Sequence, residues 1–312
     1  MSSNFADLQS KSVLVTGATG MQGGSVARAL VGAGASVTAL VRDPNSAPAQ
    51  ELKGEGVHLQ VGDLDDFSSL LAACSGHDCV FSVQLASSPT NPRAEETQAD
   101  NLIQAAREAG VQHFVHSSVS GTGWRGTHPG ADSGGTDGYW DSKEAVEAAV
   151  RIAGFPTWTI VKPAFFMNNF VEPKLSHMFP LLTDGEILVA CRLDTPLALL
   201  SGEDFGKAVA IAVANPAEFS EAEIELSSEA LTFTQIADIY SDLTDSPITA
   251  YSCSPEAIEA RLGNRSWSGM QLWLDAVGYP ARPEHAAAYD VVLDTKLHDW
   301  LATHRASTSS SL

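Results

Sequence analysis

Along the first half of the chain, apolar and polar positions alternate between two periods. Short β-branched runs at 12–16 (SVLVT), 36–41 (SVTALV), 57–61 (VHLQV), 79–83 (CVFSV), 113–118 (HFVHSS) and 157–162 (TWTIVK) predict strands. Between them, MQGGSVARALVGAG, DDFSSLLAACSG, EETQADNLIQAAREAG and DSKEAVEAAVRIAG space their apolar residues as one face of a helix. Three of these segments reach a glycine directly after the last apolar position, where helices stop. Strands alternating with helices predict an α/β fold built on a doubly wound parallel sheet.

The segment from Ser120 to Gly138 breaks this rhythm: it is glycine-rich, contains Pro129 and has no period. A connection of that length in an α/β domain reads as a functional loop or lid. After Pro163 the pattern turns irregular, with helix candidates at 201–214 and 232–243 and a strand candidate, EIELSS, at 223–228. The expected division is a nucleotide-binding part over 1–162 with its core at 11–162, and a mixed part over 163–305. The mixed part supplies a smaller α+β substrate subdomain and the last sheet elements. A small, polar tail over 306–312 is expected to be frayed.

Composition narrows the function. The 312 residues carry 18 basic and 38 acidic side chains, a formal charge of −20. Such a surface repels nucleic-acid backbones and acidic membranes. Cys74, Cys79, Cys191 and Cys253 show neither CxxC spacing nor histidines at ligand offsets, so they read as reduced thiols and no metal site is expected. The first twelve residues lack a basic stretch followed by an apolar one. The longest apolar run, at 208–214, is too short to span a bilayer. A cytoplasmic protein with no membrane or nucleic-acid partner is the expectation, and a homodimer the base-rate assembly.

Gly17, Gly20 and Gly23 lie where a predicted strand turns into a predicted helix. Such a corner aims free N–H groups and the positive end of a helix at an anion. Gly17 suits a tight turn, Gly20 lets a pyrophosphate approach, and Gly23 lets helix and strand pack closely, which makes the sheet Rossmann-type. Arg42 ends the second strand, where the adenosine ribose is contacted. An arginine there pairs with a 2′-phosphate and so favours NADP(H), with NAD(H) the second choice through Asp43, which follows at once.

The set VTGATGMQGGSVARAL, VRDP, GDLDD, VFSVQ and VKPAFFMNNF, in that order, resembles the NmrA-like, atypical members of the short-chain dehydrogenase/reductase superfamily over about residues 11–215. The spacing GxxGxxG fits that family better than the GxGxxG of many dehydrogenases. The resemblance implies cofactor contacts from Thr19, Met21 and Gln22 in the turn, Asp63 and Leu64 beside adenine, and Val83 and Gln84 at the end of the fourth strand. It also brings the backbone around Pro163 and Phe166 close to the nicotinamide. A helix cap is a second role open to Asp63 or Asp65.

Tyr139 precedes Lys143 by four positions at the start of a helix, at the carboxyl edge of the sheet. A nearby ammonium favours the ionised phenol, and Lys143 could also hold the nicotinamide ribose. The pair matches the Tyr and Lys of short-chain reductases. By the same likeness Ser118 is favoured as the third member, with Ser117 and Ser120 as alternatives. Phe165 and Met167 are expected to wall the substrate pocket, joined by Trp124 and Trp140, with His128 nearby. Lys162 is given no proton-transfer role, and His113 and His116 read as structural. The expected activity is NADPH-dependent reduction of a carbonyl, quinone or related conjugated small molecule, with Tyr139 as proton donor. The family also contains cofactor-sensing regulators that act through a protein partner, and that is the rival.

Overall fold

The computed structural model describes residues 8–88, 90–265 and 267–308. Seven of the twelve N-terminal residues read for a leader, and positions 309–312 of the expected tail, lie outside the described residues.

The chain begins β1 (Ser12–Val15), α1 (Met21–Gly32), β2 (Ser36–Val41), α2 (Ala47–Gly54), β3 (His58–Val61), α3 (Phe67–Cys74), β4 (Cys79–Ser82), α4 (Ala94–Glu108) and β5 (His113–Ser117). It continues α5 (Trp124–Thr127), α6 (Asp137–Ile152), β6 (Thr157–Pro163) and β7 (Phe165–Phe166). The six expected strands β1 to β6 all form, and α2 is an addition. It is one eight-residue helix with a proline in its first turn, too short to show a period.

The later part runs α7 (Leu175–Met178), β8 (Glu186–Val189), β9 (Leu197–Leu200), α8 (Gly202–Ala214), β10 (Ala222–Leu226), β11 (Glu229–Leu231), α9 (Phe233–Thr244) and β12 (Thr249–Ser252). It closes with α10 (Pro255–Leu262), α11 (Ser268–Ala276), α12 (Pro283–Ala287) and α13 (Leu297–Thr308). The last helix takes in the first three residues of the expected tail.

Among the described residues, seven strands form one all-parallel sheet in the order β10-β6-β5-β4-β1-β2-β3. Strand order reverses between β1 and β4, the switch point outside whose carboxyl ends ligands bind in open α/β sheets. Val13, Leu14 and Val15 are wholly buried because helices cover both faces. The sequence division at 162 is crossed twice. β10 joins the sheet beside β6, and α8 packs against α1, whose Val26, Ala27 and Leu30 share a core cluster with Phe205 and Val209.

A second core lies beyond the carboxyl edge. It gathers Trp124, Trp140, Phe165, Met167, Phe170, Phe179, Phe233 and Trp273, together with the small sheets β11-β9-β7 and β12-β8. In α9 Thr232 and Gln235 form a reciprocal capping box, so this helix was readable despite its irregular surroundings.

Candidate cofactor and catalytic site

The glycine turn is built against β4. Thr16, wholly buried, accepts the Val83 N–H at 2.9 Å and so ties the end of β1 to the end of β4. Gly17 has φ +60°, and a Cβ placed on it would meet Val83 Cγ1 at 2.7 Å. A Cβ on Gly23 would come within 2.5 Å of the Gly17 backbone, so this position accepts no side chain. Gly20 caps α1 without any side-chain hydrogen bond, which leaves the first N–H groups of the helix to an incoming anion. Gly17, Thr19 and Gly20 are exposed, and Met21 and Gln22 are half-buried. Gln22 Oε1 accepts the Ser117 hydroxyl at 2.7 Å, which anchors the turn to the end of β5.

Arg42 is exposed at the end of β2 and makes no hydrogen bond or ion pair with any described residue. Asp43 is engaged in its own turn, where Oδ1 accepts the Asn45 N–H at 2.9 Å. The Asp63 carboxylate accepts the Asp65 N–H at 3.0 Å, and the cap of α3 is Asp66, not Asp63 or Asp65. Leu64 is held by a bond of 3.0 Å from Asn101 Nδ2 to its carbonyl. Gln84 is buried. Its Nε2 donates to Ser82 Oγ at 3.0 Å, while its Oε1 has no partner among the described residues. A bare turn, open N–H groups, an uncommitted guanidinium and an orphaned buried acceptor fit a dinucleotide carrying a 2′-phosphate. Phe166 is buried edge-on against Phe205 at 5.4 Å. Pro163 is a buried strand residue whose carbonyl accepts the Ser120 N–H at 2.9 Å.

Tyr139 and Lys143 lie on α6, as the spacing predicts, but the ammonium is engaged elsewhere. Lys143 Nζ sits 2.5 Å from Glu95 Oε1, and Ser142 donates to Glu95 Oε2 at 2.8 Å. Glu95 is 1 % exposed and Lys143 is 6 % exposed, so this is a buried ion pair. Nζ lies 5.7 Å from the centre of the Tyr139 ring. The Tyr139 hydroxyl bonds no described residue. Burial, and then the Glu95 charge, push this phenol well above its ordinary value, the reverse of the lowering expected from Lys143.

The serines divide differently from the expectation. Ser118 donates to Glu147 Oε1 at 2.6 Å, beside Thr122 at 2.7 Å, so the favoured third member is spent on a buried carboxylate. Glu147 Oε2 also meets Lys162 at 3.1 Å and Arg151 at 2.7 Å, and both cations reach Glu223. Burial acts to lower the Lys162 ammonium, but these carboxylates outweigh it and hold it above its usual value. Ser117, through Gln22, is the serine tied to the glycine turn. Ser120 is wholly buried.

His116 Nδ1 lies 3.2 Å from Ser82 Oγ. Burial and the Lys143 charge lower its pKa to about 3, so it is neutral. His113 Nδ1 lies 2.8 Å from Thr157 Oγ1, and burial lowers its pKa to about 4.

The expected substrate walls are core instead. Trp140 and Met167 have no exposed surface, and Trp124 and Phe165 have almost none. Trp140 packs 4.4 Å from Trp273 and 5.3 Å from Tyr139, with its Nε1 donating to Thr136 Oγ1 at 3.0 Å. These rings therefore hold Tyr139 in place. The 120–136 loop is docked on α11. Gly134 and Gly269 meet backbone to backbone, where neither has room for a Cβ, and a Cβ on Gly121 would strike the Trp273 ring at 2.8 Å. His128, Trp124, Arg125 and Ser133 line a groove of about 310 Å³ on this loop.

Sequence reading missed Glu95, Glu147 and Trp273. An acidic residue in the first turn of a helix reads as dipole compensation, and nothing local announces a partner 48 positions away.

The model of the NmrA-like family matches residues 9–281. Among curated proteins, the chain is 31 % identical over 249 residues to the NmrA-like family domain-containing oxidoreductase himF of Aspergillus japonicus, covering 74 % of this chain and 72 % of that one. Among solved structures it resembles the Citrobacter sp. triphenylmethane reductase complexed with NADP(H), with a TM-score of 0.75 at 19 % identity over 93 % of this chain and 99 % of that one. It resembles equally NmrA, a negative transcriptional regulator in complex with NADP, with a TM-score of 0.74 at 22 % identity over 97 % and 98 %.

Proposed function

As the chain belongs to the NmrA-like family, we propose that it is an NADP(H)-dependent reductase of a carbonyl, quinone or related conjugated small molecule. When bound, the dinucleotide supplies the hydride. The glycine turn and the start of α1 would hold its pyrophosphate, Arg42 its 2′-phosphate, and the unpartnered Gln84 Oε1 would accept from one of its polar groups. Tyr139 gives its proton to the substrate oxygen as the hydride reaches the neighbouring carbon, and solvent restores it. The catalytic role given to Ser118 is withdrawn from this reading, because Glu147 holds its hydroxyl.

The observation that carries the reading is the Tyr139 hydroxyl itself. It is half-buried, fixed by Trp140 and free of every described partner at the carboxyl edge of the sheet. A protein that only senses the cofactor has no need of such a group. The second reading, a cofactor-sensing regulator, draws support from the diversion of Lys143 and Ser118 into buried carboxylate contacts and from the likeness to the NmrA structure.

The test is loss of the reduced-nicotinamide absorbance with a panel of quinones, aldehydes and ketones, run for the parent and for Tyr139→Phe. Turnover with NADPH that collapses in the variant is the expected result. Tight NADPH binding without turnover on any member overturns the reductase and favours the regulator.

A further inference from the structure

In a Tyr-Lys pair on one helix, a free ammonium draws the phenol toward its ionised form, so that it can take protons as readily as give them. Here the ammonium is not free. Glu95, from α4, reaches across to α6 and takes Lys143 Nζ at 2.5 Å, while Ser142, the preceding residue on α6, fixes the other carboxylate oxygen at 2.8 Å. The Glu95 backbone is pinned in turn, its N–H donating to Ser87 Oγ at 3.1 Å.

We propose that Glu95 is a positioning residue that captures the Lys143 ammonium and so keeps the Tyr139 phenol in its protonated form. This rests on the reading of Tyr139 as proton donor and adds a condition to it: the donor stays protonated into the alkaline range. The groups facing the pair are His116 from β5, which is neutral, and Tyr279, whose phenol is raised by burial and then by Tyr139. Trp140 and Trp273 supply only ring surface. The raised phenol of Tyr139 agrees with the geometry.

The test is titration of the Tyr139 phenolate by ultraviolet absorbance, with Tyr139→Phe partners to isolate its signal, on the cofactor-free protein. In the parent no phenolate assignable to Tyr139 is expected over the alkaline range in which the fold survives. In Glu95→Gln, which frees the ammonium at constant shape, a phenolate signal is expected to appear within that range, and to vanish in Glu95→Gln/Tyr139→Phe. Glu95→Asp, which keeps the charge, should restore most of the parent behaviour. Should Glu95→Gln fail to fold, Ser142→Ala replaces it, with a smaller shift in the same direction. Traces unchanged by the folded variant overturn the proposal. In an active parent the same substitution should add an alkaline limb to the pH profile of reduction. A shifted phenolate in a protein that turns nothing over keeps the charge capture and removes the reductase.

Discussion

Gly23 lies against Gly17 so closely that a Cβ on the first would come within 2.5 Å of the backbone of the second. The contact is backbone, which cannot swing aside. Gly23→Ala should therefore move the start of α1 off the turn, destabilising the fold by about 1–3 kcal/mol and weakening NADPH binding at least about tenfold. Thermal melting and NADPH fluorescence titration read the two effects. A variant with parent affinity would show that the turn does not hold the pyrophosphate.

Arg42 is uncommitted, while Asp43 is drawn into its own turn. Arg42→Ala should raise the NADPH dissociation constant about tenfold or more, as loss of a charged hydrogen-bonding partner does, and change that of NADH far less. Equal losses for both cofactors would assign Arg42 to the surface, and added salt should shrink the NADPH advantage of the parent.

Tyr139→Phe keeps the ring packed on Trp140 and removes only the hydroxyl. Turnover should fall by about 10²–10⁴ with cofactor affinity unchanged, the usual span for losing a general acid. Steady-state kinetics beside a binding titration separates the two.

Ser118→Ala and Ser117→Ala should part company. The first strips a hydrogen bond from a buried carboxylate that two cations share, and should cost about 1–3 kcal/mol of stability with little effect on turnover. The second frees Gln22 in the cofactor turn and should act mainly on NADPH affinity. Urea melts and binding titrations on both variants give the comparison; a Ser118→Ala protein of parent stability but lost turnover would return Ser118 to the active site.

Acid stability should fall in two windows. His113 and His116 are buried and neutral, with pKa values lowered to about 4 and about 3. The unfolded chain takes up their protons first, so stability declines as pH drops below about 6.5 and levels off beneath the folded values. Glu223 is the opposite kind of group. Its hydrogen bond from Arg151 outweighs burial and, with Lys162, holds its carboxyl down at about 2, so its contribution is present above pH 4.5 and is lost between there and 2. Glu223→Gln should flatten only the lower window and His116→Gln only the upper one, as followed by thermal melting across pH.

The six strands and the glycine corner could be read because each is local: a β-branched run, a turn, a helical period. The Tyr139 and Lys143 pairing on one helix was local too. What escaped was settled by contacts across the sheet. Whether Lys143 faces the phenol or a carboxylate depends on where α4 starts, and whether Ser118 or Ser117 meets the cofactor turn depends on which face of β5 each takes. The tryptophans misled for a related reason. A large ring in a glycine-rich loop looks available to a ligand until the chain that covers it, here Trp273 on α11, is known.

The backbone seam between Gly134 and Gly269 has an evolutionary corollary. The surface of the mid-chain loop is a joint product of that loop and the least patterned C-terminal third, whereas the glycine turn is built within the N-terminal half. Changes in α11 can therefore reshape what the loop presents without touching a residue of the glycine turn. A lineage carrying this scaffold can vary the two parts independently.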